Sequence, residues 1–269
     1  MAQPPAVYPH GQHESVVRSY RWRTVENSAA YLADDLRAGA TVLDVGCGPG
    51  SITADIAERV APGRVVAVDA SADAVAKARQ AAAEQGVQGV EFAVADAHAL
   101  DGPDDTFDVV HAHQVLQYAA DPVRALSEMR RVCRPGGIVG ARDADHAMMG
   151  WYPEVPELTE WMSLYQRIAR RDGGEPNAGR RLLSWARCAG LTDITCTTST
   201  WCYATADERA WWSEVWSQRI TSSGLAAQAL DEGLATADDL QRIADGWRVW
   251  GQADDGWFTI VHGEIRCRV

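Results

Sequence analysis

The segment Val42-Leu43-Asp44-Val45-Gly46-Cys47-Gly48-Pro49-Gly50 constrains the fold more than any other stretch of this chain of 269 residues. Val42 to Val45 read as a short buried strand. The glycines then turn the chain sharply, and Ser51-Ile52-Thr53-Ala54-Asp55-Ile56 opens a helix. Glycine, without a Cβ, permits such a turn and lets a ligand lie against bare backbone at a helix N-terminus. The next apolar run, Val65-Val66-Ala67-Val68, ends in Asp69, an acid placed to grip the two hydroxyls of a ribose. A glycine loop followed by such an acid points to a nucleoside-containing ligand. The spacing narrows the choice. A dinucleotide loop reads Gly-x-Gly-x-x-Gly. Here the glycines fall at 46, 48 and 50, Ser51 takes the place of the third dinucleotide glycine, and Asp44 precedes the first glycine by two residues.

From Ala40 to about Arg142, short apolar runs alternate with helical stretches, which is the pattern of a parallel sheet with crossover helices. The expected strands are Thr41–Val45, Arg64–Asp69, Val90–Ala95, Phe107–His111 and Ile138–Arg142, the last after a Pro135-Gly136-Gly137 stop. Ile52, Ile56 and Val60 recur every four residues and so share one helix face. Ser71 is placed to cap the next helix, and Asp121-Pro122 pairs an N-cap with proline at the first helical position. Upstream, residues from about Gln12 to Leu36 read as helical. Downstream, helices are expected over Glu157–Arg171, Arg180–Cys188, Asp207–Ile220, Leu225–Leu234 and Asp238–Trp250, with strands over Ile194–Tyr203 and Trp257–Ile265. A strand, a helical block and a strand suggest an insertion between the last two sheet strands.

The loop pattern Asp-x-Gly-x-Gly-x-Gly resembles the first motif of the class I S-adenosylmethionine (SAM) dependent methyltransferases. Further motifs follow in that family's order: Asp69-Ala70-Ser71, Val94-Ala95-Asp96-Ala97, Phe107-Asp108-Val109-Val110-His111, and Leu126 through Pro135-Gly136-Gly137. The match covers roughly residues 40 to 142 and is similar to the branch that includes the ubiquinone/menaquinone, or type 11, enzymes. The resemblance implies an α/β fold: a Rossmann-like, seven-stranded, mostly parallel sheet with helices on both faces, its last strand antiparallel, plus helical cap and insertions. The corresponding division is an N-terminal helical segment over the cofactor site (1–39), a SAM-binding core (40–143), and a C-terminal part (144–269). That last part would hold a helical lid at about 145–180 and a helical insertion at about 205–252. Residue by residue, the resemblance assigns Asp44, Gly46, Gly48 and Gly50 to the methionine part of SAM. Asp69 with Ala70 would take the ribose, and Asp96 with Ala97 the adenine. His111 or Ala112 would offer a backbone carbonyl to the methionine amine, and His113 and Gln114 stand where substrate approaches. The product would be S-adenosylhomocysteine. The acceptor is expected to be a small metabolite; methylation of nucleic acid or protein, an NAD-dependent dehydrogenase and a non-catalytic SAM-binding protein are the alternatives.

Composition bears on those alternatives. The formal net charge is −12, which opposes stable contact with the polyanionic nucleic acids. A local basic groove formed by Arg167, Arg170, Arg171, Arg180 and Arg181 is less expected than a solvated helix face. The chain has no apolar run of membrane-spanning length and no secretory leader pattern, so a cytoplasmic protein without a membrane partner is expected, as a monomer or homodimer. Its six cysteines form no Cys-x-x-Cys pair and no zinc pattern with histidine. They are expected to be reduced, mostly buried thiols, and no metal site is expected.

Methyl transfer from a sulfonium is an in-line displacement with a neutral leaving group. Alignment can supply most of the catalysis, and a base is needed only when the acceptor carries a proton at attack. The candidates are His113 and His146 equally, then His13, Asp143 and Asp145, the cluster Asp143-Ala144-Asp145-His146 following the fifth strand directly. The Trp-rich block (Trp211, Trp212, Trp216, Trp247, Trp250) is expected mainly to pack the insertion, and Met148 to Pro153 to lie in a substrate lid.

Overall fold

The computed structural model describes residue 20 and residues 22–269. In chain order these form α1 (Val25–Ser28), β1 (Thr41–Val45), α2 (Ser51–Val60), β2 (Arg64–Asp69), α3 (Ala72–Glu84), β3 (Val90–Val94), β4 (Phe107–His113), α4 (Pro122–Val132) and β5 (Cys133–Ala144). There follow β6 (Gly150–Tyr152), α5 (Pro156–Arg171), α6 (Leu182–Cys188), β7 (Asp193–Tyr203), α7 (Ala206–Ser222), α8 (Gly224–Asp231), α9 (Ala237–Gln252) and β8 (Trp257–Arg268). They divide into two compact units. The first holds residues 20–144, 178–199 and 262–269; the second, within the described residues, holds 145–177 and 200–261.

The fold is the expected α/β sheet, with strand order β3-β2-β1-β4-β5-β8-β7. Strands β1 to β5 pair in parallel, and β8 lies antiparallel to β5. Local chemistry sets the element starts. Ser71 Oγ accepts from Ala74 N at 3.3 Å, and Asp121 Oδ1 accepts from Arg124 N at 2.9 Å with Pro122 at the first helical position, so both expected caps are present. Leu43, Val45, Val110, Ala112, Val139 and Ala141 bury on one sheet face with α4 and α6. Val42, Val109 and Ile138 bury on the other against α2 and the segment after α1. On that second face a Cβ on Gly140 would stand 2.5 Å from Leu32 Cδ1, so a residue without a side chain is what lets the N-terminal segment lie close on the sheet.

Among the boundaries that differ from the pattern reading, those of β5, β4 and the N-terminal segment bear most on the sheet. Strand β5 starts at Cys133, because Phe107 pairs with Cys133 before the register shifts, and the glycine turn is tied to the chain end by Gly136 N to Val269 O at 2.6 Å. Strand β4 runs on to His113, since its pairing with β5 continues as far as Arg142. The helical reading of 12–36 is realised, among the described residues, only as α1 and a 3₁₀ turn at Ala30–Leu32. Ala29 leaves helical geometry at φ −142°, while Val25, Ala29, Leu32 and Leu36 still bury on the sheet.

In the second unit the helical tryptophans pack on one another, as their spacing implies. Trp161 meets Trp216 and Trp247 edge-on at 4.5 and 4.9 Å between ring centres, and Phe258 from β8 joins them. Trp250 Nε1 donates to Tyr152 O at 3.0 Å, which fastens the short strand β6, an element the sequence pattern did not suggest. The cysteines are all free; Cys47, Cys133 and Cys267 are buried, but Cys188, Cys196 and Cys202 are exposed, so half of them depart from the expected burial because β7 turns Cys196 and Cys202 outward.

The first unit's sheet carries a buried charge pair. Arg142 and Glu264 are cross-strand neighbours, 1% and 5% exposed. Arg142 Nε donates to Glu264 Oε1 at 3.2 Å and to Ser199 Oγ at 3.0 Å, while Ser199 and Thr197 hydroxyls donate to the two carboxylate oxygens at 2.5 and 2.7 Å. Burial pushes the Arg142 guanidinium down to about 10, against the opposing pull of Glu264. Removing one partner of such a pair leaves an uncompensated buried charge. Glu264→Ala is therefore expected to lower stability by about 3–5 kcal/mol, and Glu264→Gln by less because the amide still accepts from Arg142 or a hydroxyl, as measured by urea unfolding followed by circular dichroism.

Candidate active site

The glycine turn is built from below. Gly46 N and Cys47 N both donate to Val68 O, at 2.7 and 2.9 Å, so the loop after β1 is fixed to the end of β2. Gly46 sits at φ +72°, and a Cβ there would overlap the Val115 side chain. Gly48, at φ +53°, has nothing within 4 Å of where a Cβ would be, so the backbone faces open space at this point. Gly50 is the N-cap of α2 and supplies no side-chain cap, which leaves first-turn N–H groups of that helix for another acceptor.

The two flanking acids differ in placement. Asp44 is buried: its Oδ2 accepts from Thr53 Oγ1 at 2.6 Å and its Oδ1 meets His111 Nδ1 at 2.9 Å. It thus clamps the start of α2 to β4 underneath the turn. Asp69 is half-buried at the sheet edge, where Oδ2 accepts from Gly48 N at 3.0 Å and Oδ1 from Ser71 N at 2.9 Å. A carboxylate offers about four acceptor positions, so Asp69 keeps capacity for the hydroxyls of a ligand beside it. Ala70 is exposed next to it, and Asp96 with Ala97 follow β3, the strand paired with β2. Asp96 Oδ1 accepts from His98 N at 2.9 Å and meets His98 Nδ1 at 2.7 Å; these bonds hold its carboxyl below the usual range.

Strand β4 brings His111, Ala112 and His113 to the same edge. His111 and Ala112 lie within the strand and are fully buried, and His111 Nε2 has no hydrogen-bond partner among the described residues. The His113 ring lies 6.5 Å from that of His111 and 6.3 Å from that of His262. Burial, with the nearby Arg23 and Arg142 charges, drives His113 well below its ordinary value, so the ring is neutral. Beyond it, Gln114 takes a left-handed backbone, φ +54°, and its amide joins two distant segments: Oε1 accepts from Arg23 Nη2 at 3.0 Å, and Nε2 stands 3.0 Å from His262 Nε2. Ser51 Oγ donates to Tyr20 O at 2.7 Å, which ties the chain before α1 to the glycine turn. Arg23 and His262 carry no motif and were not among the expected site residues; only their partnership with Gln114 reveals them.

Asp143, next to the last residue of β5, lies on the face opposite His113. It is fully buried; Oδ1 accepts from Gln117 N at 3.1 Å, Oδ2 has no partner among the described residues, and burial pushes its carboxyl up to about 7. Asp145 and His146 belong to the second unit. There Asp145 N donates to Val261 O at 2.9 Å, and His146 Nδ1 donates to Pro176 O at 2.7 Å with its ring stacked on Tyr165 at 4.3 Å. Burial pushes His146 down to about 4. His13 lies outside the described residues. Among the described residues no group of three or more His, Cys, Asp or Glu is arranged to hold a metal ion, and no helix is long and apolar enough to cross a membrane. Of the arginines weighed as a basic groove, Arg171 pairs with Glu232 at 2.5 Å and Arg170 lies 4.0 Å from Glu175 on an exposed helix face.

The residues fit SAM. An open glycine backbone and an uncapped helix N-terminus suit the amino-acid end, and carboxylate acceptors at the end of β2 and just after β3 suit ribose hydroxyls and an adenine amine.

Comparison with known proteins accords with this geometry. Residues 36–215 match the family model described as a methyltransferase domain. An uncharacterized methyltransferase of Schizosaccharomyces pombe is 33% identical over 267 residues, which cover 96% of this chain and 95% of the relative. Trans-aconitate 2-methyltransferase of an Azoarcus species is 30% identical over 186 residues, covering 56% of this chain and 68% of that one. The crystal structure of the YcgJ protein of Bacillus subtilis shares the fold, with a TM-score of 0.58 at 19% identity over 88% of this chain and 96% of that one. Ordered motifs, sheet topology and full-length similarity agree, and the chain belongs to the class I SAM-dependent methyltransferases.

Proposed function

We propose that this methyltransferase carries the methyl group of SAM to a small-molecule acceptor, with Asp69 as the ribose anchor. The observation that carries the reading is the bond from Gly48 N to Asp69 Oδ2, which holds the glycine turn and the ribose acid in one rigid edge. The acceptor class is supported by the trans-aconitate enzyme among the relatives and by the net charge of −12, which disfavours nucleic acid.

When bound, SAM supplies a methyl group already activated on a sulfonium. The chain's residues bind and orient. Gly46, Gly48 and Gly50, with Asp44, would present backbone to the methionine part; Asp69 with Ala70 would accept from the ribose, and Asp96 with Ala97 would hold the adenine. The carbonyl of His111 or Ala112 would accept from the methionine amine. Holding the reacting atoms in line converts a two-body encounter into a one-body step, for which effective molarities reach about 10⁵–10⁸ M. No base is obligatory. Where the acceptor is protonated at attack, Asp143 has the proton affinity nearest neutrality, the property a general base needs. His113 and His146 are neutral and hold a proton weakly, so they serve better as hydrogen-bonding walls.

Calorimetry should show S-adenosylhomocysteine binding in the micromolar range, weakened about 10- to 100-fold by Asp69→Ala, the loss expected for hydrogen bonds to a charged group. Absence of binding to the unaltered chain would sink the reading. Asp143 gives a second test. Its folded-state proton affinity exceeds that of an ordinary carboxyl near 3.9, so the stability it lends is complete below about pH 4 and is lost as pH rises through 7. Asp143→Asn should therefore melt several degrees above the parent at pH 8.5, with the gap closing toward pH 4.5; about 1 kcal/mol moves Tm by about 2–4 °C at this size.

A further inference from the structure

We propose that His98 is the positioning residue for base recognition: it holds the Asp96 carboxylate with one oxygen bound to the chain and the other presented to the 6-amino group of an adenine. The inference rests on the reading that this chain binds SAM through Asp96.

The geometry around Asp96 is lopsided. Its side chain is 63% exposed, yet both bonds it receives from the chain fall on Oδ1, from the backbone N and the ring Nδ1 of His98. Among the described residues nothing bonds Oδ2. The imidazole is itself held on its far side, where Asp121 N donates to Nε2 at 3.2 Å. That bond requires a lone pair on Nε2, so the neutral ring carries its proton on Nδ1, the atom facing Asp96. One tautomer satisfies both neighbours.

His98 is also the end of a longer fastening. Its carbonyl accepts from Arg124 Nε at 2.9 Å. Two residues on, Leu100 N donates to Glu128 Oε2 at 3.0 Å, and Leu100 O accepts from Arg131 Nη2 at 2.8 Å. The loop after β3 is thus stapled along α4, and the imidazole is the part of the staple that reaches the carboxylate. Bonds from His98 favour the ionised acid. An ionised carboxylate only accepts hydrogen bonds. It matches the amino group of adenine and opposes the carbonyl oxygen that hypoxanthine carries at the same position.

The test compares the calorimetric affinities of S-adenosyl-L-homocysteine and its 6-oxo analogue, S-inosyl-L-homocysteine, for the parent chain, His98→Asn and His98→Gln, with melting curves to show that each variant is folded. Asparagine keeps an N–H near the Nδ1 position, facing Asp96. Glutamine keeps a polar atom near Nε2, toward Asp121, and lacks the donor beside the carboxylate. The parent chain should prefer the adenosyl ligand about tenfold or more, the size of a hydrogen bond to a charged group. His98→Asn should retain most of that ratio, and His98→Gln should reduce it to within about threefold. A ratio unchanged in His98→Gln, or lost in His98→Asn and kept in His98→Gln, overturns the proposal, even if both ligands bind more weakly. Equal affinity of the parent chain for the two ligands overturns it through Asp96. Failure of the parent chain to bind S-adenosylhomocysteine at all refutes instead the cofactor reading beneath it.

Discussion

Everything at the cofactor edge depends on one buried carboxylate. Asp44 accepts from Thr53 in the first turn of α2 and meets His111 in β4, and all three side chains are shut away from water. A buried acid without partners is costly, and one with two partners is an effective clamp. By holding the helix start and β4 against β1 at once, Asp44 sets the span that the glycine turn from β1 to α2 must cover. The turn's left-handed residues, the uncapped N-terminus of α2 and the approach of Gly48 to Asp69 follow from that fixed span.

The legible part of the fold was the part repeated in the chain's period and punctuation. Alternating apolar runs gave β1 to β4, and Ser71 and Asp121-Pro122 announced their helices because capping is a local interaction. Strand β6 was not legible: Gly150, Trp151 and Tyr152 form a strand by pairing with Thr259, Phe258 and Trp257, more than a hundred residues away. The same reason explains β5. Nothing near Pro135-Gly136-Gly137 reports that Val269 will hold it in the sheet.

The site divides along the same line. Glycine spacing and the acids after strands are motif-bound, so Asp69 and Asp96 could be proposed from the sequence. Arg23 and His262 could not, because their relation to Gln114 exists only once the segments around residues 23 and 262 lie beside the end of β4. Electrostatics was equally hidden. His146 and Asp143 are close in sequence and both buried, yet burial moves one down to about 4 and the other up to about 7, since it disfavours whichever form is charged.

The pairing of Arg142 with Glu264 has a consequence for how the protein is made. Arg142 precedes by 122 residues the carboxylate that neutralises it, which belongs to β8. A nascent chain emerging from the ribosome therefore holds an unfinished sheet, with a guanidinium that has no carboxylate partner until β8 is synthesised. The cofactor loop is encoded locally, whereas the sheet beside β5 is completed by a strand more than a hundred residues further along the chain.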